Sequence, residues 1–330
     1  MNPPVNPSST TPRSTGGSPA PSPRLADRLR HNLGRAILGK PAVIDQVLTA
    51  LFAGGHVLLE DVPGVGKTML ARALARSLDL SFHRIQFTSD LLPADLLGVS
   101  VFRPERGDFE WKPGPIFAHV ILADELNRTP PRTQSSLLEA LEDGQVSVDG
   151  VVHALPKPFF VVATQNPIEF AGTYPLPESE LDRFLLCTTL GAPDRETERR
   201  IVESHRAGAP IDRLDAVATS AELLAERAAV DLVKVEASVL DYLLDIVEAT
   251  RRDGRIRLGA SPRATIAFER AVRARARVAG REFAVPEDVK SLAIPVLAHR
   301  IVVSGAGSES GRANAERVLT ELLDRIRVPA

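Results

Sequence analysis

The chain has 330 residues, 44% hydrophobic and 25% charged, enough for about two globular domains with a sizeable core. Forty Lys and Arg against 42 Asp and Glu leave a net charge of -2, so whole-chain electrostatics give no drive towards nucleic acid or an anionic membrane surface. A single cysteine, Cys187, excludes an internal disulfide. No apolar run approaches the ~20 residues of a membrane span and no secretory leader is evident, so the expected location is cytoplasmic.

Residues 1–24 are nearly all Pro, Ser, Thr, Gly and Asn, with Arg13 and Arg24 as their only charges. Such a segment has too little apolar surface to offset its ordering entropy, and a disordered tether is expected. From Leu25, ADRLRHNLGRAI and AVIDQVLTALFAG read as helices. Next come HVLLE, a Pro/Gly turn and the helical KTMLARALARSL: a strand, a glycine loop and a helix. Further buried-strand runs, FHRIQF, AHVILA, FFVVAT and FLLCTTL, alternate with helical or turn-rich stretches. The pattern predicts an α/β core over residues 25–192, with a mostly parallel five-stranded sheet flanked by helices.

Two alternating segments interrupt it. VSVFRPERGDFEWKPG reads as a hairpin, and QVSVDGVVHAL as another, turning at Asp149-Gly150. Trp111 in the first hairpin is expected to be a packing anchor. From about Asp194 only helix-period segments remain, predicting an all-helical domain over 193–330. Within it, RAVRARARV reads as a solvated basic face, with Arg270, Arg273, Arg275 and Arg277 interleaved with Ala and Val.

DVPGVGKT (61–68) carries the chemistry of a phosphate loop. Gly64 and Gly66 let backbone amides curl around phosphate oxygens, Lys67 reaches the β/γ-phosphates, and the Thr68 hydroxyl suits Mg2+. The usual pattern has its first glycine where this chain has Asp61, a carboxylate that must point away or be screened. HVILADE ends a strand on Asp124, suited to the Mg2+ shell, and Glu125, suited to orienting an attacking water. Neighbours on a regular strand face opposite ways, so the pair can share a site only where the strand stops. FFVVAT runs into Gln165, Asn166 and Pro167, where Asn166 is either a water- or phosphate-holding amide or part of an Asn-Pro turn. Arg183 could supply a γ-phosphate contact to a neighbour or simply pair with Asp182 or Glu180. In GASPRAT, Ser261 reads as an N-cap and Pro262 as the first helical residue. This leaves Arg263 in a first turn, where a cation costs ~0.3–1 kcal/mol unless an anion lies close.

Taken together, LEDVPGVGKT (59–68), VILADELNRTPPRTQSSLLEALEDGQVSV (120–148), VVATQNPIEFAGTYPLPESELDRF (161–184) and GASPRAT (259–265) resemble the MoxR family of AAA+ ATPases over about residues 25–305. The resemblance implies a Walker A motif at Pro63, Gly64, Val65, Gly66, Lys67 and Thr68, a Walker B pair at Asp124 and Glu125, and a sensor 1 at Asn166. It further implies Arg183 as an arginine finger on the next subunit, Arg263 as a sensor 2 arginine in its own subunit, and Gly39 beside the adenine. Other members also lack the first glycine of the loop. The two hairpins look like the helix-2 insert and the pre-sensor 1 hairpin, which face the central pore in related rings. ATP and Mg2+ as cofactors, an α/β core with a helical lid, a homo-hexamer and a von Willebrand factor A domain partner in chaperone-like maturation of client proteins are implied as well. Two other readings stand beside this one: a DNA-linked motor or loader, and a nucleotide-gated scaffold without turnover.

Overall fold

The computed structural model describes residues 23–166, 172–206, 208–304 and 311–329. The expected tether up to residue 22, and Pro167, lie outside the described residues. The chain opens with helices α1 (Leu25–Ala36) and α2 (Pro41–Ala53), then runs through β1 (Val57–Glu60), α3 (Lys67–Ser77) and β2 (Phe82–Gln86). A short α4 (Pro93–Leu97) leads into the hairpin β3 (Gly98–Arg103) and β4 (Asp108–Pro113). After β5 (Val120–Asp124) come α5 (Pro131–Asp143), the hairpin β6 (Gln145–Val148) and β7 (Val151–Ala154), β8 (Phe160–Gln165), α6 (Glu178–Leu181) and β9 (Leu186–Thr188). The remainder is α7 (Arg195–Arg206), α8 (Ser220–Val230), α9 (Ala237–Arg252), β10 (Ile256–Leu258), α10 (Pro262–Val278), α11 (Pro286–Leu297), β11 (Val302–Val303) and α12 (Gly311–Leu323).

All five expected core strands form one parallel sheet in the order β2-β5-β8-β1-β9. Burial on both faces explains their near-continuous apolar sequences: Val120–Asp124 is buried at every position. One apolar cluster joins one sheet face to α1–α3 and to the helices that follow the sheet. A second, with Leu58, Ile121, Val161 and Cys187, joins the other face to α5 and to β6 of the second hairpin. Beyond β9, among the described residues, the regular elements are helices apart from β10 and β11, which pair antiparallel. At three and two residues these strands are too short to carry a periodic signature.

The hairpins turn where expected, with Asp149 and Gly150 both at positive φ (51° and 77°). They also pack on each other. Trp111 stacks on His153 with ring centroids 3.7 Å apart and meets Phe117 edge-on, and Ser100 donates to Asp149 at 2.6 Å. Trp111 is thus an anchor between the two hairpins. The basic stretch of α10 is not a bare cationic face: Arg273, Arg275 and Arg277 pair with Glu269, Asp45 and Glu226.

Candidate active site

Asp61–Gly66 connect the carboxyl end of β1 to the start of α3. Gly64 and Gly66 have φ of 90° and 102°, and a Cβ on either would touch nothing. Their contribution is therefore conformational, a left-handed turn that glycine makes without strain. No side chain caps α3, so the amides of its first turn point into the loop as an anion cradle. Lys67 is buried, and its Nζ donates to the Asp61 carbonyl at 2.8 Å, folding the ammonium over the loop. Asp61 turns its carboxylate the other way, accepting from the amides of Leu190 (2.5 Å) and Gly191 (2.9 Å) beyond β9. The residue that departs from the usual motif braces the loop from behind.

Two strands away, Asp124 is buried with Oδ1 accepting from the Thr164 hydroxyl (2.7 Å) and Oδ2 from Arg84 (2.6 Å). Glu125 has φ 59°, ψ 48°, a left-handed conformation costing a non-glycine residue roughly 1–3 kcal/mol. That turn ends the strand's alternation and carries Glu125 to Gln86, which donates to its carboxylate at 2.8 Å, with Arg128 3.3 Å away. Thr164 ties the pair together, since its hydroxyl also accepts the Glu125 amide at 2.8 Å. Arg84, Gln86 and Thr164 escaped sequence reasoning. The available signal was the polar alternation in FHRIQ, which puts Arg84 and Gln86 on one face of β2.

Asn166 follows β8, buried, its carbonyl accepting from Asn127 at 3.3 Å. Because β8 lies between β1 and β5, with Gln165 opposite Glu60 and Ala163 opposite Ala123, Asn166 is delivered between the phosphate loop and the two carboxylates. Gly39, at φ 71°, packs so closely on Thr197 of α7 that a Cβ would come within 2.7 Å of its hydroxyl. Thr68 opens α3 directly after Lys67, while Pro63 is exposed and Val65 half-buried against the core.

Arg183 and Arg263 lie elsewhere. Together with Glu142, Asp182, Arg270 and Arg300 they line a cleft of about 210 Å³ beside Gly55 and Leu185, at the amino ends of β1 and β9. Arg263 Nη2 donates to Glu142 Oε1 at 2.5 Å, and Arg183 Nε lies 3.5 Å from Glu142 Oε2. The partner of Arg183 is therefore neither Asp182, which Arg300 holds at 2.5 Å, nor Glu180. Ser261 does cap α10, accepting from the Ala264 amide, and Glu142 is the anion that Arg263 needs in that first turn. At about 3.3 Å per residue, β1 and its flanks put roughly 20 Å between Gly55 and the phosphate loop. An arginine side chain cannot bridge that span, so the expectation that Arg263 serves its own subunit's nucleotide is corrected by the position of α10.

His56, at the start of β1, closes off this end of the sheet. Its Nδ1 accepts from the Val161 amide and its Nε2 donates to the Leu141 carbonyl, both at 3.1 Å. Full burial pushes its pKa down to about 4, so the ring is neutral and one tautomer is fixed.

A glycine loop between strand and helix, acidic and amide strand ends beside it, and a helical lid define a P-loop ATPase of the AAA+ class. Residues 56–186 match the ATPase family associated with various cellular activities (AAA), and 248–322 match the AAA lid domain. The chain is 43% identical over 307 residues to the uncharacterised protein YeaC of Bacillus subtilis, spanning 93% of this chain and 95% of that one. It is 36% identical to Chaperone MoxR1 of Mycobacterium tuberculosis (92% and 82%) and 32% identical to the MoxR protein of Methylorubrum extorquens (84% and 87%). A crystal structure from Cytophaga hutchinsonii, assigned as an ATPase, superposes with a TM-score of 0.83 at 34% identity, covering 92% of this chain and 96% of that one. The chain belongs to the MoxR family of AAA+ ATPases.

Proposed function

We propose that the protein hydrolyses ATP with Mg2+ in a homo-hexameric ring whose sites lie between subunits, and that the ring remodels client proteins with a von Willebrand factor A domain partner. The observation that carries the shared-site reading is the placement of Arg183 and Arg263 at the amino end of the sheet, opposite their own phosphate loop. Arginines so placed can reach a γ-phosphate only on the adjoining subunit. There they would be worth ~10³–10⁵ in rate.

Within one subunit the geometry of the loop and strand ends supports the phosphate and water roles, and the family resemblance supplies that of Gly39. The amides of the loop and Lys67 bind the phosphates, Gly39 borders the base, and Glu125, held by Gln86, orients the attacking water. Asn166 supplies an amide between them. The Thr68 hydroxyl and the Asp124 carboxylate are hard oxygen donors of the kind Mg2+ takes alongside nucleotide phosphates, so the donor set fits the ion. Bound there, the ion would neutralise charge on the phosphate oxygens.

The client reading is supported by the hairpins, which together expose Val99, Phe102, Phe109, Val151 and Val152. Phe102 and Phe109 meet at 5.2 Å in a patch suited to apolar side chains of an unfolded segment. It is supported too by the chaperone name of the mycobacterial relative. Phosphate release should be measured with unfolded polypeptide and with single-stranded DNA. Stimulation by polypeptide that is lost in Phe102→Ser and Phe109→Ser is expected. Stimulation by DNA alone, weakening steeply with salt, would overturn the client reading in favour of a DNA motor.

A further inference from the structure

We infer that Glu142 is a positioning residue for the hydrolysis performed on the neighbouring subunit: it holds Arg183 of the core and Arg263 of the lid on one carboxylate, as a pair ready for the next nucleotide. The inference rests on the reading that these arginines act across the subunit interface.

Glu142 lies in the last turn of α5 and Arg263 in the first turn of α10. Each charge sits at the end of its own helix where the helix dipole disfavours it. Each also lies against the end of the other helix, where the dipole favours it. Paired, each charge offsets the unfavourable dipole of its own helix. The cleft holds four arginines against two carboxylates. Asp182 is already taken by Arg300, through its side chain at 2.5 Å and its carbonyl at 3.0 Å. Among the described residues of the cleft, Glu142 is thus the one carboxylate left to balance Arg183 and Arg263. Among the described residues, the buried Nε of Arg183 has no hydrogen-bond partner; at 3.5 Å, Glu142 Oε2 holds it by charge alone. A contact that long leaves the guanidinium able to exchange the carboxylate for a phosphate oxygen.

The helix carrying Glu142 also connects the two ends of the subunit. α5 begins shortly after Glu125 and Arg128, at the subunit's own carboxylate pair, and runs 13 residues, about 20 Å, to the arginine cleft. At that end the His56-to-Leu141 hydrogen bond pins it to β1 beside Glu142.

Without Glu142, two guanidiniums on separate domains repel each other, and the pair loses its alignment. A displacement of about 1 Å at a catalytic group can cost 10²-fold. Glu142→Ala and Glu142→Gln are therefore expected to lower kcat roughly ten- to hundredfold with KM nearly unchanged. Glu142 is 42% exposed, so both variants should fold, which a thermal melt of each checks.

The decisive format is a doped ring. Wild-type chains are mixed with an excess of chains carrying Glu125→Gln alone, Glu125→Gln with Arg183→Ala, or Glu125→Gln with Glu142→Ala. The expected result is that both double variants depress the wild-type turnover well below the Glu125→Gln control. If the Arg183 double variant depresses it and the Glu142 double variant does not, the role of Glu142 is overturned while the interface reading stands. If neither does, the interface reading itself has failed, and the inference falls with it.

Discussion

His56 makes the protein's stability depend on pH between about 4 and 6.5. The unfolded chain binds a proton on this residue near pH 6.5, whereas the buried ring, committed at both nitrogens, does so only near pH 4. Between those values the unfolded state carries the extra proton, so stability falls as pH falls. With these two values the loss is about 2 kcal/mol between pH 7 and pH 5, levelling off near 3 kcal/mol below pH 4. His299, buried with Nε2 on the Phe184 carbonyl, has its pKa pushed in the same direction by burial and by Arg300, and the carboxylates contribute as well. The test is therefore a difference. Urea unfolding of wild type and of His56→Asn is measured at pH 7 and pH 5, and the pH-dependent loss should be smaller in the variant by about 2 kcal/mol. The same loss in both proteins would refute the assignment.

Two substitutions probe the carboxylates around the nucleotide loop. Asp61→Gly restores the more usual loop glycine yet leaves the Leu190 and Gly191 amides without their acceptor, so it should destabilise the fold by about 1–3 kcal/mol in chemical unfolding. No loss of stability would mean that the brace is idle. Arg84→Met removes the cation that occupies Asp124. Because Arg84 is half-exposed, the pair is worth no more than about 1 kcal/mol, and the Mg2+ concentration for half-maximal activity should fall by up to about fivefold. A rise would assign Arg84 a different role.

What could be read from the sequence was local. The glycine loop, the Asp149-Gly150 turn, the Ser261 cap and the apolar runs of all five core strands each declare themselves within a few residues, because backbone conformation and burial act at that range. The strand ends bearing Asp124, Glu125 and Asn166 were legible for the same reason. The end of the sheet beside which Arg263 lies depends on how the lid helices dock. Arg263 is in the first turn of α10, but only the packing of α10 on α2 sets it beside Glu142, 121 residues away. The partners of Asp124 come from β2 and β8, again through strand order and not through spacing. Likewise Arg312 of α12 reaches Glu60 at 2.6 Å and the Cys187 sulfur at 2.8 Å, an ion pair and a sulfur contact across 252 and 125 residues that no local spacing declares.

The central claim, that each site is finished by arginines from the adjoining chain, is tested most directly by complementation. Glu125→Gln chains keep their arginines but lack the residue that orients water, and are expected to bind nucleotide and turn over some 10²–10⁴-fold more slowly. Arg183→Ala chains keep a sound site but contribute no arginine to their neighbour. Each should be nearly inactive alone. Mixed in equal amounts, the two should recover a substantial fraction of wild-type phosphate release, because mixed interfaces pair an intact site with an intact arginine. A mixture no more active than its components would contradict the account.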